Sequence, residues 1–415
     1  MRKGICILAA LLVVVATKAY FETGSTDSRW SVIETASAAN SACIFPTKMA
    51  ATPEQTAWQL FVAANCKASN GQLLWETWVE QSTLYPASGK AGGAVTQLLI
   101  ANRLHSSPLA LAHMKKTNPA MAELTTPCNA MQAPPPPGST TPPMVKDPTV
   151  CEEVHLNPPA QKFITSHQYQ TRPPQTMAAQ KGTNIQFPSA AIEVKVDWIP
   201  ASDFAPPFTC ANPPAGVHVE TIGGTCYAMA GMHVISKLIG QWLWATFEPQ
   251  SMATNPLRCI TFGPCNDPWG SIPATSNGGA SGFTKPSPAL AALMQQAGLP
   301  PEFLNYRLVG TQTEFVTSSG APIYLGNSII EGENVGQQAG TSSCITCHSV
   351  SSIENNGTDG ITKINDQVGP PYKIPPGWIA RDFVWSMGLA CPDVPNGGGL
   401  QTCTSSKAPA KPAKK

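Results

Sequence analysis

The sequence predicts an α+β fold, with a large strand-containing N-terminal module and a small, mostly helical segment at the C-terminus. Residues 190–200, AAIEVKVDWIP, alternate apolar and polar side chains, which is the pattern of a strand. The apolar, aromatic-rich runs 226–238 and 240–249 predict two further strands that are neighbours in one sheet. Helix signals occur before and after these runs, so both element types are expected in the larger module.

The first element expected along the chain is a helix over about 53–64. Thr52 can cap this helix, and Pro53 suits its first turn. Residues 125–150 contain APPPPGSTTPP, which predicts an exposed loop because consecutive prolines suit no packed element. Beyond the predicted strands, SPALAALMQQAGLP predicts a short helix that ends at Gly298.

The chain divides into four predicted segments. A signal peptide and leader occupy 1–38, and the α+β module occupies 43–328. A compact segment follows over 329–403, with the boundary near residue 328. The last residues, 404–415, form a basic tail that we expect to be disordered.

The N-terminus predicts export. Arg2 and Lys3 precede an apolar run over residues 5–16, and small residues follow it, as in a secretory signal peptide. The alternative is an uncleaved membrane anchor, which needs about 20 apolar residues, more than this run provides. We therefore expect a periplasmic or extracellular protein that meets a membrane only if the N-terminal segment is retained.

The composition excludes nucleic acid as a partner. Charged residues make up 12% of the 415 residues, and the formal net charge is +1. An average soluble domain has about 25% charged residues, so the chain offers no basic surface to neutralise phosphates. The 41 prolines further predict many loops and extended segments.

The cysteine count predicts disulfides. Of 13 cysteines, one lies in the predicted signal and two in the motif described below, which leaves ten. An even number in an exported chain favours disulfides, and the ten fall into sequential couples. The expected local bridges are 43–66, 128–151, 210–226, 259–265 and 391–403, although sequence alone cannot fix the connectivity.

Residues 341–350, TSSCITCHSV, contain a pattern with specific chemistry. Cys344-Ile-Thr-Cys347-His348 has the spacing of a c-type haem attachment site. On one helical turn, positions i, i+3 and i+4 point the same way, so two thiols can reach the two vinyl groups of a porphyrin while His348 faces the iron. The alternatives are a thioredoxin-like redox pair, half of a zinc site, and a structural disulfide beside a histidine.

The haem interpretation assigns the iron ligands. His348 is the expected proximal ligand, and the carbonyl of Pro370 is a candidate acceptor for its second ring nitrogen. Met387 is the candidate sixth ligand, 39 residues beyond His348, unless it is a core residue. His233 is a second candidate, and an open iron face is the third possibility.

Several segments together resemble a group of exported bacterial proteins, the monohaem c-type cytochromes. This resemblance spans most of the chain after the predicted leader, from about residue 57 to 348, and CxxCH is its specific part. It implies one covalent haem c at Cys344, Cys347 and His348 and a periplasmic or extracellular location, but it implies no particular reaction. The matching segments are AWQLFVAANC, WETW, AAIEVKVDW, GMHVISK, WLWATFE, LGNSIIEGE and SSCITCH.

Polar residues among the tryptophans of the larger module have two interpretations. They either line a cavity near the haem, or they form the solvated face of the strands while the tryptophans fill the core; we favour the second. The polar residues are Glu76, Glu193, Lys195, His233, Lys237 and Glu248, and the tryptophans are Trp75, Trp78, Trp198, Trp242 and Trp244.

Three functions follow. The first is electron transfer through a six-coordinate haem to a redox partner protein. The second is a peroxidase- or oxygenase-like haem oxidoreductase, with an open distal site that faces the large module and admits a small-molecule substrate. The third is a non-redox binding or structural protein. The sequence identifies neither the partner nor the substrate, and it leaves open whether the chain is an enzyme.

Overall fold

The structure is a computed structural model that describes residues 40–85, 129–130, 149–250, 267–272, 285–334, 339–360 and 368–390. The predicted leader and basic tail lie outside these residues. So do most of the proline-rich loop and the cysteines at 128, 259, 265, 391 and 403. In the described part of the chain, no helix is long and apolar enough to span a membrane.

An antiparallel sheet forms the centre of the fold. Within the described residues it has eight strands, in the order β1-β3-β4-β6-β7-β10, with β2 paired to β3 and β5 paired to β6. Together with the helices below, this sheet confirms the α+β class. The strands of the sheet are β1 (Val79–Glu80), β2 (Asn129–Ala130), β3 (Thr149–Leu156), β4 (Ile192–Pro200), β5 (Val219–Ile222), β6 (Thr225–Ser236), β7 (Leu243–Pro249) and β10 (Tyr306–Gln312). Two smaller antiparallel pairs are β8 (Ser271–Ile272) with β9 (Lys285–Pro286) and β11 (Ser352–Glu354) with β12 (Trp378–Ala380).

The strands predicted from apolar patterning are confirmed. The alternating run at 190–200 is β4, and the runs after it are β6 and β7, which pair with each other. The apolar residues of β4, from Ile192 to Trp198, belong to the core cluster that also contains Trp58 and Phe61 of the first helix. This cluster covers one face of the sheet.

Both predicted helices are confirmed, with their boundary residues. α1 begins where the Thr52 hydroxyl accepts a hydrogen bond from the Gln55 amide, 3.2 Å away. The helix of residues 288–297 ends at Gly298, whose φ of 69° is left-handed and suits glycine. The α-helices are α1 (Pro53–Ala64), α2 (Gln81–Leu84), α3 (Pro158–Ser166), α4 (Arg172–Gln180), α5 (Pro288–Ala297) and α6 (Cys344–His348).

The opposite face of the sheet carries charged residues and is buried. The prediction that this polar face is exposed to solvent is therefore wrong. Glu193 and Asp197 of β4 are buried, and Lys195 between them forms a 2.6 Å ion pair with Glu152 of β3. Residues that come later in the sequence cover this face. The strand alternation therefore separates two buried layers, and ion pairing compensates part of the desolvation of the charged one.

Residues 325–348 provide part of that cover. The Asn327 side-chain amide donates a 2.8 Å hydrogen bond to the Thr246 hydroxyl of β7. The Ser328 amide donates to the Glu248 carboxylate at 2.6 Å. Gly231 of β6 has no side chain, which leaves room for Asn327, because a Cβ there would lie 2.8 Å from Asn327 Oδ1.

The chain beyond residue 328 shares a hydrophobic core with the larger module. One cluster joins Trp242 and Trp244 to Cys344, Ile345 and Val384. The predicted boundary therefore does not separate two cores. The segment contains short elements: a π-helix (Ser328–Asn334), 3-10 turns at Ala339–Thr341 and Trp385–Leu389, helix α6, and the pair β11–β12.

Two of the expected disulfides lie within the described residues, and both are confirmed. They join Cys43 to Cys66 and Cys210 to Cys226. Cys151 is also disulfide-bonded, and its expected partner lies outside the described residues. These bonds are compatible with an exported protein.

Candidate functional site

The CxxCH motif forms its own short helix, α6. The Ser343 hydroxyl caps this helix by accepting from the Thr346 amide. Gln312, the last residue of β10, binds the same end, since its side chain donates to Ser343 Oγ at 2.9 Å and accepts from the Ile345 amide at 3.1 Å. The central sheet thus fixes the first turn of the motif.

Neither motif cysteine is part of a disulfide. Cys344 is buried and Cys347 is half-buried, whereas the other cysteines among the described residues are all in disulfides. Cys344 Sγ donates to the Leu325 carbonyl, 3.3 Å away. Burial raises the pKa of Cys344 well above its usual value, so this thiol is neutral.

The structure holds the imidazole of His348 in one orientation. Its Nδ1 lies 2.8 Å from the Phe383 carbonyl, which can only accept, so Nδ1 carries the proton. The ring stacks on Trp385 at 4.7 Å between centroids and contacts Trp244 at 4.6 Å. Burial lowers the pKa of His348 to about 3, although the Phe383 hydrogen bond opposes this effect. The ring is therefore neutral, and its Nε2 lone pair has no hydrogen-bond partner among the described residues.

The prediction that the Pro370 carbonyl accepts a hydrogen bond from the His348 ring is wrong. Pro370 is exposed, and Phe383 takes the predicted role from a turn 35 residues beyond the histidine. The Gly-Pro segment does reach the motif, but through the Gly369 carbonyl, which accepts from Thr346 Oγ1 at 3.0 Å.

An unusual turn presents the Phe383 carbonyl. Asp382 and Phe383 have left-handed φ values of 52° and 69°, a conformation that costs a non-glycine residue about 1–2 kcal/mol. The buried Asp382 carboxylate accepts from the Phe187 amide at 2.7 Å and forms a 2.5 Å ion pair with Lys237, just beyond β6. Desolvation raises the pKa of Asp382, although the bond to Lys237 opposes that rise. The large module therefore anchors the turn that orients His348.

Met387 lies in the 3-10 turn Trp385–Leu389 and is fully buried. It belongs to the same hydrophobic cluster as Cys344 and Ile345. Its carbonyl accepts from the Gln175 side chain at 3.1 Å. The element that carries Met387 thus packs, through Trp385, against the ring of His348 itself.

His233 of β6 lies beside the motif, next to a carboxylate that the sequence did not single out. Its Nε2 is 3.4 Å from Glu331 Oε2. A nitrogen of His233, a carboxylate oxygen of Glu331 and Cys344 Sγ all lie within 4.8 Å of one another. Burial alone would raise the pKa of Glu331, but His233, the Asn327 amide and Lys195 together hold it below its usual value.

The remaining polar residues of the larger module have structural contacts. Glu76 accepts from the Leu73 amide at 2.8 Å, and Glu248 accepts from the Ser328 amide. Burial raises the pKa of Glu193 to about 7, with Lys195 opposing and Glu152 adding to the rise. The predicted role of the tryptophans as core is confirmed, because Trp75, Trp78, Trp198, Trp242 and Trp244 are all buried.

Sequence reasoning missed the residues that orient the motif: Gln312, Glu331, Asp382 and Phe383. Only Glu331 lay in a segment with a usable signal, LGNSIIEGE, which belongs to the resemblance described above.

The fold and site define an α+β protein with an oriented CxxCH motif. No protein-family model, curated protein or solved structure matches the chain. The resemblance to monohaem c-type cytochromes therefore stays a prediction.

Proposed function

We propose that this chain is a c-type cytochrome that binds one haem covalently through Cys344 and Cys347, with His348 as the proximal ligand. The observation that carries the proposal is the state of His348. Its ring is neutral, Nδ1 is held by a carbonyl and Nε2 is available, as an iron ligand requires. Two cysteines on the preceding turn that are not disulfide-bonded, in a chain that forms disulfides elsewhere, support the same conclusion.

We further propose that the protein is exported to the periplasm or the cell exterior and belongs to the monohaem c-type cytochromes. The disulfides support export, since they form and persist in oxidising compartments. The N-terminal signal pattern agrees with them.

The proposed activity is electron transfer with a redox partner protein. Bound haem would supply a one-electron centre. The chain contributes part of the enclosure of the histidine side, because the rings of Trp244 and Trp385 pack on His348. Cys347 and His348 keep partial exposure, so an attached haem edge would lie near the surface that a partner contacts.

A haem-dependent oxidoreductase with an open distal iron face is the second candidate. Two observations favour it. Met387 is fully buried in the hydrophobic cluster, in the turn whose Trp385 packs against the His348 ring, so it would serve as a core residue rather than as an iron ligand. His233 and Glu331 also place a polar pair beside the Cys344 anchor, and such residues suit an open site that binds a small molecule.

Production of the chain with a haem-attachment system tests the cofactor. We expect an intact mass increased by one haem, which Cys344→Ala combined with Cys347→Ala abolishes. The matched control removes two cysteines elsewhere, Cys210→Ala with Cys226→Ala, and keeps the haem. A wild-type chain without covalent haem, or a motif double variant that retains it, would refute the proposal.

Carbon monoxide separates the two candidate functions. A reduced protein that does not bind carbon monoxide, and that begins to bind it in Met387→Ala, supports electron transfer through a six-coordinate haem. Rapid binding to the wild type, unchanged by Met387→Ala, supports the open-site oxidoreductase.

A further inference from the structure

We propose that Cys344, His233 and Glu331 form a binding site for a borderline divalent cation such as Zn²⁺ in the chain before haem is attached. The site goes beyond the proposed function, and it lies on the haem-attachment motif. Cation binding and haem attachment then compete for the same sulfur, Cys344 Sγ.

The spacing of the donor atoms supports a metal site. Zinc bonds of about 2.0–2.3 Å at tetrahedral angles place neighbouring donor atoms about 3.5 Å apart. His233 Nε2 and Glu331 Oε2 are already 3.4 Å apart. Cys344 Sγ completes a set of donors within 4.8 Å of one another, so a shift of at most about 1.3 Å in the thiol brings it to the donor spacing of a zinc site.

A second observation points to a missing partner at the same place. His233 is 7% exposed, and its Nε2 makes no hydrogen bond. Leaving a buried polar atom without a partner costs about 1–3 kcal/mol. Glu331 Oε2, 3.4 Å away, lies beyond the usual hydrogen-bond length and already accepts from the Asn327 amide at 2.6 Å. A cation held between His233 and Glu331 would give Nε2 a closer partner.

The donor types select the cation. Thiolate and imidazole favour zinc, cobalt and copper over magnesium and calcium, which prefer oxygen ligands. Three protein donors leave one tetrahedral position for solvent. Lys195 is the nearby positive charge that opposes a cation, but its ammonium is paired with Glu152 at 2.6 Å.

Ligand exchange at Cys344 accounts for the competition. On cation binding, the thiol gives up its hydrogen bond to the Leu325 carbonyl and releases its proton to solvent, and a sulfur–metal bond forms. After haem attachment the same sulfur is a thioether, which has no charge and no proton to lose. The haem-loaded chain then keeps only two of the three donors.

Cobalt provides the test, because thiolate ligation of Co²⁺ gives a sulfur-to-metal charge-transfer band. The full chain, made without haem attachment and with its disulfides intact and motif thiols reduced, is titrated with Co²⁺ and then with Zn²⁺. We expect one equivalent of Co²⁺ to produce the band and Zn²⁺ to displace it. Cys344→Ser removes the band, and His233→Ala and Glu331→Gln each weaken Co²⁺ binding at least about tenfold.

Cys347→Ser is the matched control, because this cysteine lies in the same motif but outside the donor set; its band stays. Loss of the band in Cys347→Ser would show that the two motif thiols chelate the ion by themselves and would overturn the proposal. Unchanged affinity in both His233→Ala and Glu331→Gln would also overturn it. The haem-loaded wild type gives no band if the proposal holds. Because haem attachment is read separately by mass, failure of the cation site leaves the haem proposal standing.

Discussion

The ion pair between Lys237 and Asp382 gives the sharpest prediction about how the fold supports the motif. Both side chains are buried, and together they hold the turn that presents the Phe383 carbonyl to His348. Lys237→Met removes the ammonium at similar side-chain length. It leaves the Asp382 carboxylate with the Phe187 amide as a remaining partner.

The expected magnitude follows from the burial of the pair. Removal of one partner of a buried ion pair costs about 3–5 kcal/mol, because the other charge stays buried without compensation. Asp382 can reduce this cost by taking up a proton, since burial already raises its pKa and Lys237 opposes that rise. The penalty of Lys237→Met is therefore larger at pH 8 than at pH 5. The double variant with Asp382→Asn loses less stability than Lys237→Met alone, because it has no unpaired charge.

Urea unfolding of the full chain at pH 5 and pH 8 measures these differences. Glu314→Gln is the control: this exposed carboxylate accepts from the Gln241 side chain, and its loss should change stability by less than about 0.5 kcal/mol. A Lys237→Met variant that unfolds within that margin of the wild type at pH 8 would refute the reasoning, because the pair would then not anchor the turn.

Three further predictions concern the stability of the fold. Folding raises the pKa of Glu193 from 4.5 to about 7, so the folded state binds this proton more tightly, and the free energy of unfolding falls by roughly 3 kcal/mol as pH rises from 4.5 to 7. Urea unfolding at a series of pH values should show this decrease in the wild type and not in Glu193→Gln. Equal decreases in both proteins would show that Glu193 is not the group responsible. Replacement of Cys43–Cys66 by alanines should lower the free energy of unfolding by about 3 kcal/mol, from the loop of 23 residues that the bond closes, whereas an unchanged urea midpoint would argue against that stabilisation. Gly231→Ala should lower the free energy of unfolding by about 1–3 kcal/mol, because the new Cβ would lie 2.8 Å from Asn327. Gly240→Ala is the control, since a Cβ there meets open space, and thermal unfolding should find its stability close to that of the wild type.

Elements with a local signal were predictable from the sequence. The alternation of β4, the caps of α1 and the terminal Gly298 each depend on residues within a few positions of one another. The sequential disulfides 43–66 and 210–226 are local in the same sense.

The burial of the charged face of β4 was not predictable by the same reasoning. The alternation of apolar and polar residues predicts that a strand has two different faces. It does not predict whether water or another part of the protein covers the polar face. The cover comes from residues such as Asn327, which contacts Thr246 from 81 positions away. The same limit applies to the site, where His233 meets Glu331 and Cys344 only through tertiary packing.

The arrangement around His348 answers what most of the chain does for a motif of five residues. Gln312 of the sheet fixes the start of the motif helix, and Trp244 packs on the histidine ring. Lys237 anchors the turn that fixes the orientation of the imidazole. Each of these residues belongs to the large module. The large module therefore positions the residues of the motif and does not serve only as a docking surface. A truncated chain that began near residue 328 would lack all three contacts, and its histidine would lose the orientation on which the proposed cofactor binding depends.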